Sequence, residues 1–173
     1  MTSEDEARKV TLNEVEARMR PGNFSQAGFL GSEESLRQVL ESDARTIEGL
    51  GVTVDALADR LGQLLESAIA STRTLTRVGS YRVRLQRYKG PQICPFAPEP
   101  YENPCPGRGD KRFASIDWSI SNSRNSYQLS GPGLIVHLIG AHGFFEGTQS
   151  PYRVPPRELA ELLELGPFSP SRR

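Results

Sequence analysis

The spacing of apolar residues changes from a helical to a strand-like period close to residue 73. Between residues 12 and 70, apolar residues recur every three or four positions, as they do on one face of a helix. In residues 75–89 and again in residues 114–129 they alternate with polar residues, which is typical of half-buried strands. The sequence therefore predicts an α+β fold, in which an N-terminal helical hairpin precedes a small antiparallel sheet and a further helix.

Three helices are predicted before this change of period. Thr11 and Glu14 match a capping box at the start of a short helix over residues 12–19. Ser32 is expected to begin a second helix with acidic residues in its first turn, and Thr53 to cap a third. The predicted apolar faces are Leu36, Val39, Leu40, Ala44 and Ile47 in the second helix, and Val54, Leu57, Ala58, Leu61, Leu64, Leu65 and Ile69 in the third.

Three strands are predicted next. Residues 81–86 alternate between apolar and polar types, and the turn at 78–80 could join them to a short preceding strand. Residues 114–120 alternate in the same way. A turn at 122–125 then leads to a third strand near residues 127–129. These strands fit a small antiparallel sheet.

A helix over about residues 132–142 is expected to carry both histidines of the chain, His137 and His142. Ser130 is its predicted N-cap, and Gly143 follows it in the position that helix-ending glycines favour. Positions five apart on an ideal helix are rotated by about 140° and do not share a face. His142 lies in the predicted last turn, however, where departure from ideal geometry can bring the two rings together.

The chain divides into four parts on this pattern. Residues 1–10 and 169–173 are predicted to be disordered tails, because they are polar and lack apolar periodicity. Residues 11–72 form the helical region, and residues 73–168 form the α+β region, which includes a last amphipathic helix over 157–165. A length of 173 residues suits one domain of ordinary size with a helical appendage.

Two features of composition bear on location. No apolar run approaches the roughly 18 residues of a membrane span, and the acidic opening of the chain is unlike a signal peptide. We therefore expect a cytoplasmic protein. That compartment disfavours disulfides and favours reduced or metal-bound cysteines.

Four residues carry the candidate chemistry: Cys94, Cys105, His137 and His142. They are the only two cysteines and two histidines of the chain. Two thiolates and two imidazoles form a ligand set that zinc binds tetrahedrally. Histidine ligands of zinc are commonly separated by three to five residues, but ten residues between cysteines is wider than the usual two to four. The sequence thus predicts a structural Zn²⁺ site, because four protein ligands leave no position for water or substrate.

Other interpretations of these residues remain open at the level of sequence. The cysteines could be ordinary buried thiols, or a disulfide in an exported protein. His137 lies among apolar residues, where a histidine is more often part of the core than a ligand. A zinc-dependent hydrolase is a further alternative, with Glu146 as the general base toward a metal-bound water.

Charge is distributed unevenly although the net charge is zero. Residues 1–70 hold 7 basic and 13 acidic residues, whereas residues 71–112 hold 9 basic and 3 acidic residues. Basic residues cluster around the first long strand, and they could contact nucleic acid, with Tyr81 or Tyr88 stacking on bases. The residues concerned are Arg77, Arg82, Arg84, Arg87 and Lys89. The alternative is that they keep the strand soluble or pair with the acidic helices.

We accordingly expect a small non-catalytic interaction module, an adaptor or regulator, with a structural zinc site. Its expected partner is another protein, bound at the helical hairpin and at the loop with Phe24 and Phe29. Nucleic acid is the alternative partner, no membrane partner is expected, and a homodimer through the helices is possible. A DNA-reading helix-turn-helix is disfavoured, because the third helix carries Asp55, Asp59 and Glu66 where a reader should be basic.

Overall fold

A computed structural model describes residues 10–99, residue 105 and residues 111–167, the side chains of 111 and 112 excepted. The predicted tails lie outside these ranges, apart from Val10. The described elements are α1 (Leu12–Met19), α2 (Leu36–Leu50), α3 (Val54–Ala70), β1 (Leu75–Val78), β2 (Tyr81–Arg87), a 3-10 helix (Lys111–Ser115), β3 (Ile116–Asn122), β4 (Gln128–Pro132), α4 (Ile135–His142) and α5 (Pro156–Leu162). The fold is α+β, as the sequence predicts.

Local hydrogen bonds explain where the first helices begin. The Thr11 hydroxyl accepts from the backbone N–H of Glu14, and the Glu14 carboxylate accepts from the backbone N–H of Thr11, which confirms the capping box. The start predicted for α2 at Ser32 is wrong. Ser35 is the N-cap, since its hydroxyl accepts from the backbone N–H of Gln38 at 3.4 Å.

The four strands form one antiparallel sheet in the order β1-β2-β3-β4. Strict alternation gives the sheet one buried face, because successive side chains point to opposite sides. The strand residues on that face are less than 5% exposed in β2 and β3: Tyr81, Val83, Leu85, Ile116, Trp118 and Ile120. Ala114, expected in the second strand, lies instead in the 3-10 helix that precedes β3.

The helices pack on the buried face of the sheet. α3 contacts β1, β2 and α4, while α5 contacts β4 and α2. The buried apolar side chains form one continuous cluster that includes residues of every helix and of the two central strands. Among the described residues, no helix combines the length and the apolar character that crossing a bilayer requires.

The histidine helix α4 begins three residues later than predicted. Ser130 lies in β4 and does not cap α4; Leu134 is the N-cap residue and makes no side-chain capping bond. The predicted helix end is correct, because Gly143 takes the left-handed conformation with φ of 62° and its N–H bonds back to the carbonyl of Ile139.

The loop after α4, residues 143–154, is anchored by buried side chains. Phe144 and Phe145 are fully buried. Arg153 forms two hydrogen bonds with the carboxylate of Asp43, at 2.7 and 3.1 Å, and both side chains are largely buried. Asp43 lies on the buried side of α2, so its charge would be costly there without this bidentate partner.

Gly133 joins β4 to α4 at a point where the chain has no room for a side chain. A Cβ atom there would overlap the backbone carbonyl oxygen of Phe113. We expect Gly133→Ala to lower the free energy of unfolding by about 2–3 kcal/mol, because backbone must move to admit the methyl group. Urea unfolding followed by circular dichroism measures this change.

The matched control is Gly49→Ala in α2. No atom lies within 4 Å of the added Cβ, so the same substitution should raise the free energy of unfolding by about 0.5–1 kcal/mol. Equal effects of the two substitutions would contradict the packing described around Gly133.

Candidate metal centre

The four side chains predicted as zinc ligands lie together at one point of the fold. One ligand atom from each of Cys94, Cys105, His137 and His142 lies within 4.8 Å of the others. Cys94 and Cys105 come from the segment between β2 and the 3-10 helix, and the histidines come from α4. The cluster could hold a metal ion and would then tie this segment to the helix.

The distances around His142 fit a tetrahedral arrangement. Its Nε2 atom lies 3.4 Å from Sγ of Cys94 and 3.3 Å from Sγ of Cys105. Ligands held about 2.0–2.3 Å from a zinc ion at tetrahedral angles are separated by roughly 3.3–3.8 Å. Both sulfur-to-nitrogen distances fall in that range, although weak S–H···N hydrogen bonds could also bring these atoms together.

The histidines converge although five positions separate them. Their ring centroids lie 5.1 Å apart, with an angle of 80° between the ring planes. His142 is the last residue of α4, immediately before the left-handed Gly143. The convergence therefore occurs at the last turn of the helix, as the sequence argument required.

Phe96 and Arg18 hold residues 94–97, the cysteine segment next to Cys94, in place, and the sequence pattern gave no sign of either role. The Phe96 ring stacks on the His142 ring with centroids 4.1 Å apart and planes 9° from parallel. The Arg18 guanidinium, on α1, donates to the carbonyl oxygens of Pro95 and Ala97 at 3.1 and 2.6 Å. The segment after Cys94 is thus fixed from both sides.

Burial shapes the electrostatics of the cluster. It raises the pKa of the Cys94 thiol to about 12 and raises the pKa of Cys105 as well. It also lowers the pKa of His142 to about 4, with the neighbouring His137 as a smaller cause. All of these shifts favour the neutral form of the side chain, since a charge is poorly solvated there. A bound dication would reverse the preference of the thiols and stabilise thiolates.

Glu146, considered above as a general base, lies outside the cluster. Its side chain is buried, and one carboxylate oxygen accepts a hydrogen bond of 2.6 Å from the Ser150 hydroxyl. Burial raises the pKa of Glu146 to about 7, partly offset by Ser150, and the charge of Asp117 raises it further. Glu146 therefore belongs to the packing of the loop after α4.

Three basic residues of β1 and β2 lie on the other side of the sheet. Arg77, Arg82 and Arg84 are exposed and point away from the helices. Arg87 ends β2 opposite Ile116, a residue of the helix-facing side, and Lys89 follows the strand; both are exposed. Within residues 10–99, 105 and 111–167, no acidic side chain forms an ion pair with these five residues. The pairing with the acidic helices that we considered is therefore not seen there.

The aromatic residues considered for binding differ in exposure. Tyr81 is 3% exposed, so it cannot stack on a base, whereas Tyr88 is 47% exposed. Phe29 is buried and Phe24 is half-buried under the Arg18 guanidinium. Phe29 therefore offers no surface to a partner.

Comparison with known proteins adds no family. No protein-family model matches the chain, and no curated protein or solved structure matches it significantly. The candidate metal centre is therefore described from its own geometry.

The buried carboxyl of Glu146 predicts a pH dependence of stability. The pKa of about 7 keeps this group protonated up to about pH 7 in the folded protein, whereas a glutamate carboxyl in the unfolded chain has its ordinary pKa of 4.5. This contribution to stability is therefore complete below pH 4.5 and is lost as the pH rises through about 7. The loss should be of the order of 3 kcal/mol. Urea unfolding at several pH values measures it.

Glu146→Gln is the matched variant, because glutamine keeps the shape of the side chain without the ionisation. The difference in unfolding free energy between variant and wild type should grow between pH 4.5 and 8. Taking the difference between the two proteins removes the contribution of His142, because His142 is present in both. The lowered pKa of His142 would by itself make stability rise with pH. A difference that does not change with pH would show that Glu146 titrates normally.

Proposed function

We propose that the protein is a non-catalytic interaction module whose fold is completed by a structural zinc ion. The ligands are Cys94, Cys105, His137 and His142. The observation that carries this proposal is the convergence of these four ligand atoms to within 4.8 Å of one another. They come from a loop and a helix far apart in sequence, so their meeting is a property of the whole fold.

The chemistry of the ligands favours zinc among the common metals. Calcium and magnesium prefer oxygen ligands, and the cluster offers none. Two thiolates and two imidazoles suit zinc, which accepts sulfur and nitrogen in a tetrahedron. Both cysteines are free thiols, which agrees with a reducing compartment such as the cytoplasm.

A structural role follows from the number of ligands. Four protein ligands complete the coordination of zinc, so no position remains for a water molecule or a substrate. The carboxylate of Glu146, the general base that a hydrolase would need, is bonded to Ser150. The ion would act as a cross-link between the cysteine segment and α4.

The surface that we assign to interaction is the open face of the sheet, opposite the helices. Its charges are not paired with described acidic groups, and the helical layer leaves it exposed. The alternative surface, the Phe24 and Phe29 loop on the helical side, has less to offer because Phe29 is buried.

Elemental mass spectrometry of the purified protein tests the zinc site. We expect one equivalent of zinc per chain, lost in Cys94→Ser and in His142→Ala. Both variants should also lose about 3–4 kcal/mol of unfolding free energy, which is the linkage expected when a ligand at 100 to 1,000 times its dissociation constant is removed. Zinc absent from the wild type, or retained in both variants, would refute the site.

His142→Cys controls for damage to packing. Cysteine is itself a zinc ligand, so this variant should keep the zinc that His142→Ala loses. Zinc bound equally well by His142→Ala would contradict ligation by His142.

A further inference from the structure

The open face of the sheet consists of rows of side chains that run across the strands, since residues opposite one another on antiparallel strands share a face. One row is Arg77, Arg82, Ser121 and Gln128, and the next is Leu75, Arg84, Ser119 and Ser130; Gln86 and Asp117 begin a third. Each of these side chains is exposed or half-buried. Four strands spaced about 4.8 Å apart make this face about 14 Å wide. The sheet therefore presents an exposed surface with its positive charge on the β1 and β2 half.

The positive charge is concentrated at a cost to the fold. Arg77 lies directly opposite Arg82, and like charges in such cross-strand pairs are destabilising. Arg84 adds a third guanidinium two residues along the same side of β2. No acidic side chain within the described ranges pairs with any of the three. Such a cluster is suited to an external polyanion, because guanidinium groups bind phosphate oxygens in bidentate fashion.

The other half of the face carries short polar side chains. Ser119, Ser121 and Ser130 leave the surface open above β3 and β4. Asp117 is the acidic residue of the face, and the Tyr88 hydroxyl donates to its carboxylate at 2.6 Å. The carboxylate of Asp117 is thus hydrogen-bonded to Tyr88 and is not paired with an arginine of the face.

Two aromatic side chains stand at the Asp117 end of the face. Tyr88 and Tyr152 are 47% and 39% exposed, and they are the large apolar side chains that the described part of the protein leaves exposed. Exposed rings beside a basic surface can stack on bases, which contributes about 1–3 kcal/mol per base and depends little on sequence.

We propose that the open face binds single-stranded nucleic acid, with Arg77, Arg82 and Arg84 on the phosphates and Tyr88 stacked on a base. Single strands suit this surface better than a duplex does, because their unpaired bases can lie flat on a sheet. Sequence reading in duplex DNA instead uses a helix or a two-stranded ribbon that enters the major groove. The inference rests on the proposed function and names the partner of its binding surface.

Fluorescence anisotropy with the zinc-loaded full chain tests the proposal. The probes are fluorescein-labelled oligo(dT) and oligo(U) of about 12 nucleotides, a length within the site sizes of single-strand binders. We expect both to bind, with affinity that falls as NaCl is raised. Arg82→Ala/Arg84→Ala should weaken binding at least about tenfold. It should also reduce the slope of log K against log salt by about 1.4, because each arginine that neutralises a single-strand phosphate contributes about 0.7 to that slope.

The control is Arg37→Ala/Arg45→Ala, which removes two exposed arginines from α2 and should leave binding unchanged. Tyr88→Ala should weaken binding at least about fivefold, whereas Tyr88→Phe keeps the ring and should retain it. Thermal unfolding checks the fold, and removing Arg82 should not lower the midpoint, since it relieves repulsion from Arg77.

Four outcomes would overturn the proposal: no binding at low salt, equal losses in the two double variants, tighter binding of the matched duplex, or binding of phosphatidylserine vesicles in place of oligonucleotides. Zinc content is measured on the same preparations. One equivalent of zinc without oligonucleotide binding overturns this inference alone, whereas binding by a protein without zinc overturns the zinc site alone.

Discussion

Four side chains that can each donate a lone pair meet where the cysteine segment crosses the end of α4, and this meeting constrains the surrounding fold. It requires the chain that follows β2 to place Cys94 beside α4, Gly133 to bring β4 close to the 3-10 helix, and α4 to end at His142. No single element supplies all four ligands, because the cysteines precede the 3-10 helix and the histidines lie in α4. The geometry of the cluster is therefore set by tertiary packing. The four ligand atoms can meet only when the sheet and α4 are packed together.

The elements that sequence predicted well are those governed by local periodicity or local hydrogen bonds. The alternation of Tyr81, Val83 and Leu85 with polar residues fixes β2, and the Thr11 capping box fixes the start of α1. The start of α2 was missed because Ser32 and Ser35 are both acceptable caps. The outcome depends on Glu34, which accepts from the backbone N–H groups of Gly31 and Thr148, and Thr148 is remote in sequence.

The candidate site divides in the same way. Ligand types could be read from composition, since the chain holds two cysteines and two histidines. Their convergence could not, because ten residues between the cysteines exceed the usual spacing and positions five apart on an ideal helix do not share a face. Phe96 and Arg18 were invisible for a similar reason, since one stacks on a ring 46 positions later and the other reaches carbonyl groups 77 to 79 positions away. The buried pair of Asp43 and Arg153 was not predicted either. A single aspartate in a helix is ordinarily exposed to solvent, and its partner lies 110 residues later.

Arg18 has a consequence for how the cysteine segment responds to an arriving ion. A flexible loop would have to give up conformational entropy when its thiols were captured, and that loss would be subtracted from the affinity. The Arg18 guanidinium already holds the carbonyls of Pro95 and Ala97, and Phe96 is already stacked on His142. Cys94 is consequently preorganised, and α1, which supplies no ligand, contributes to affinity by limiting the freedom of a segment that does.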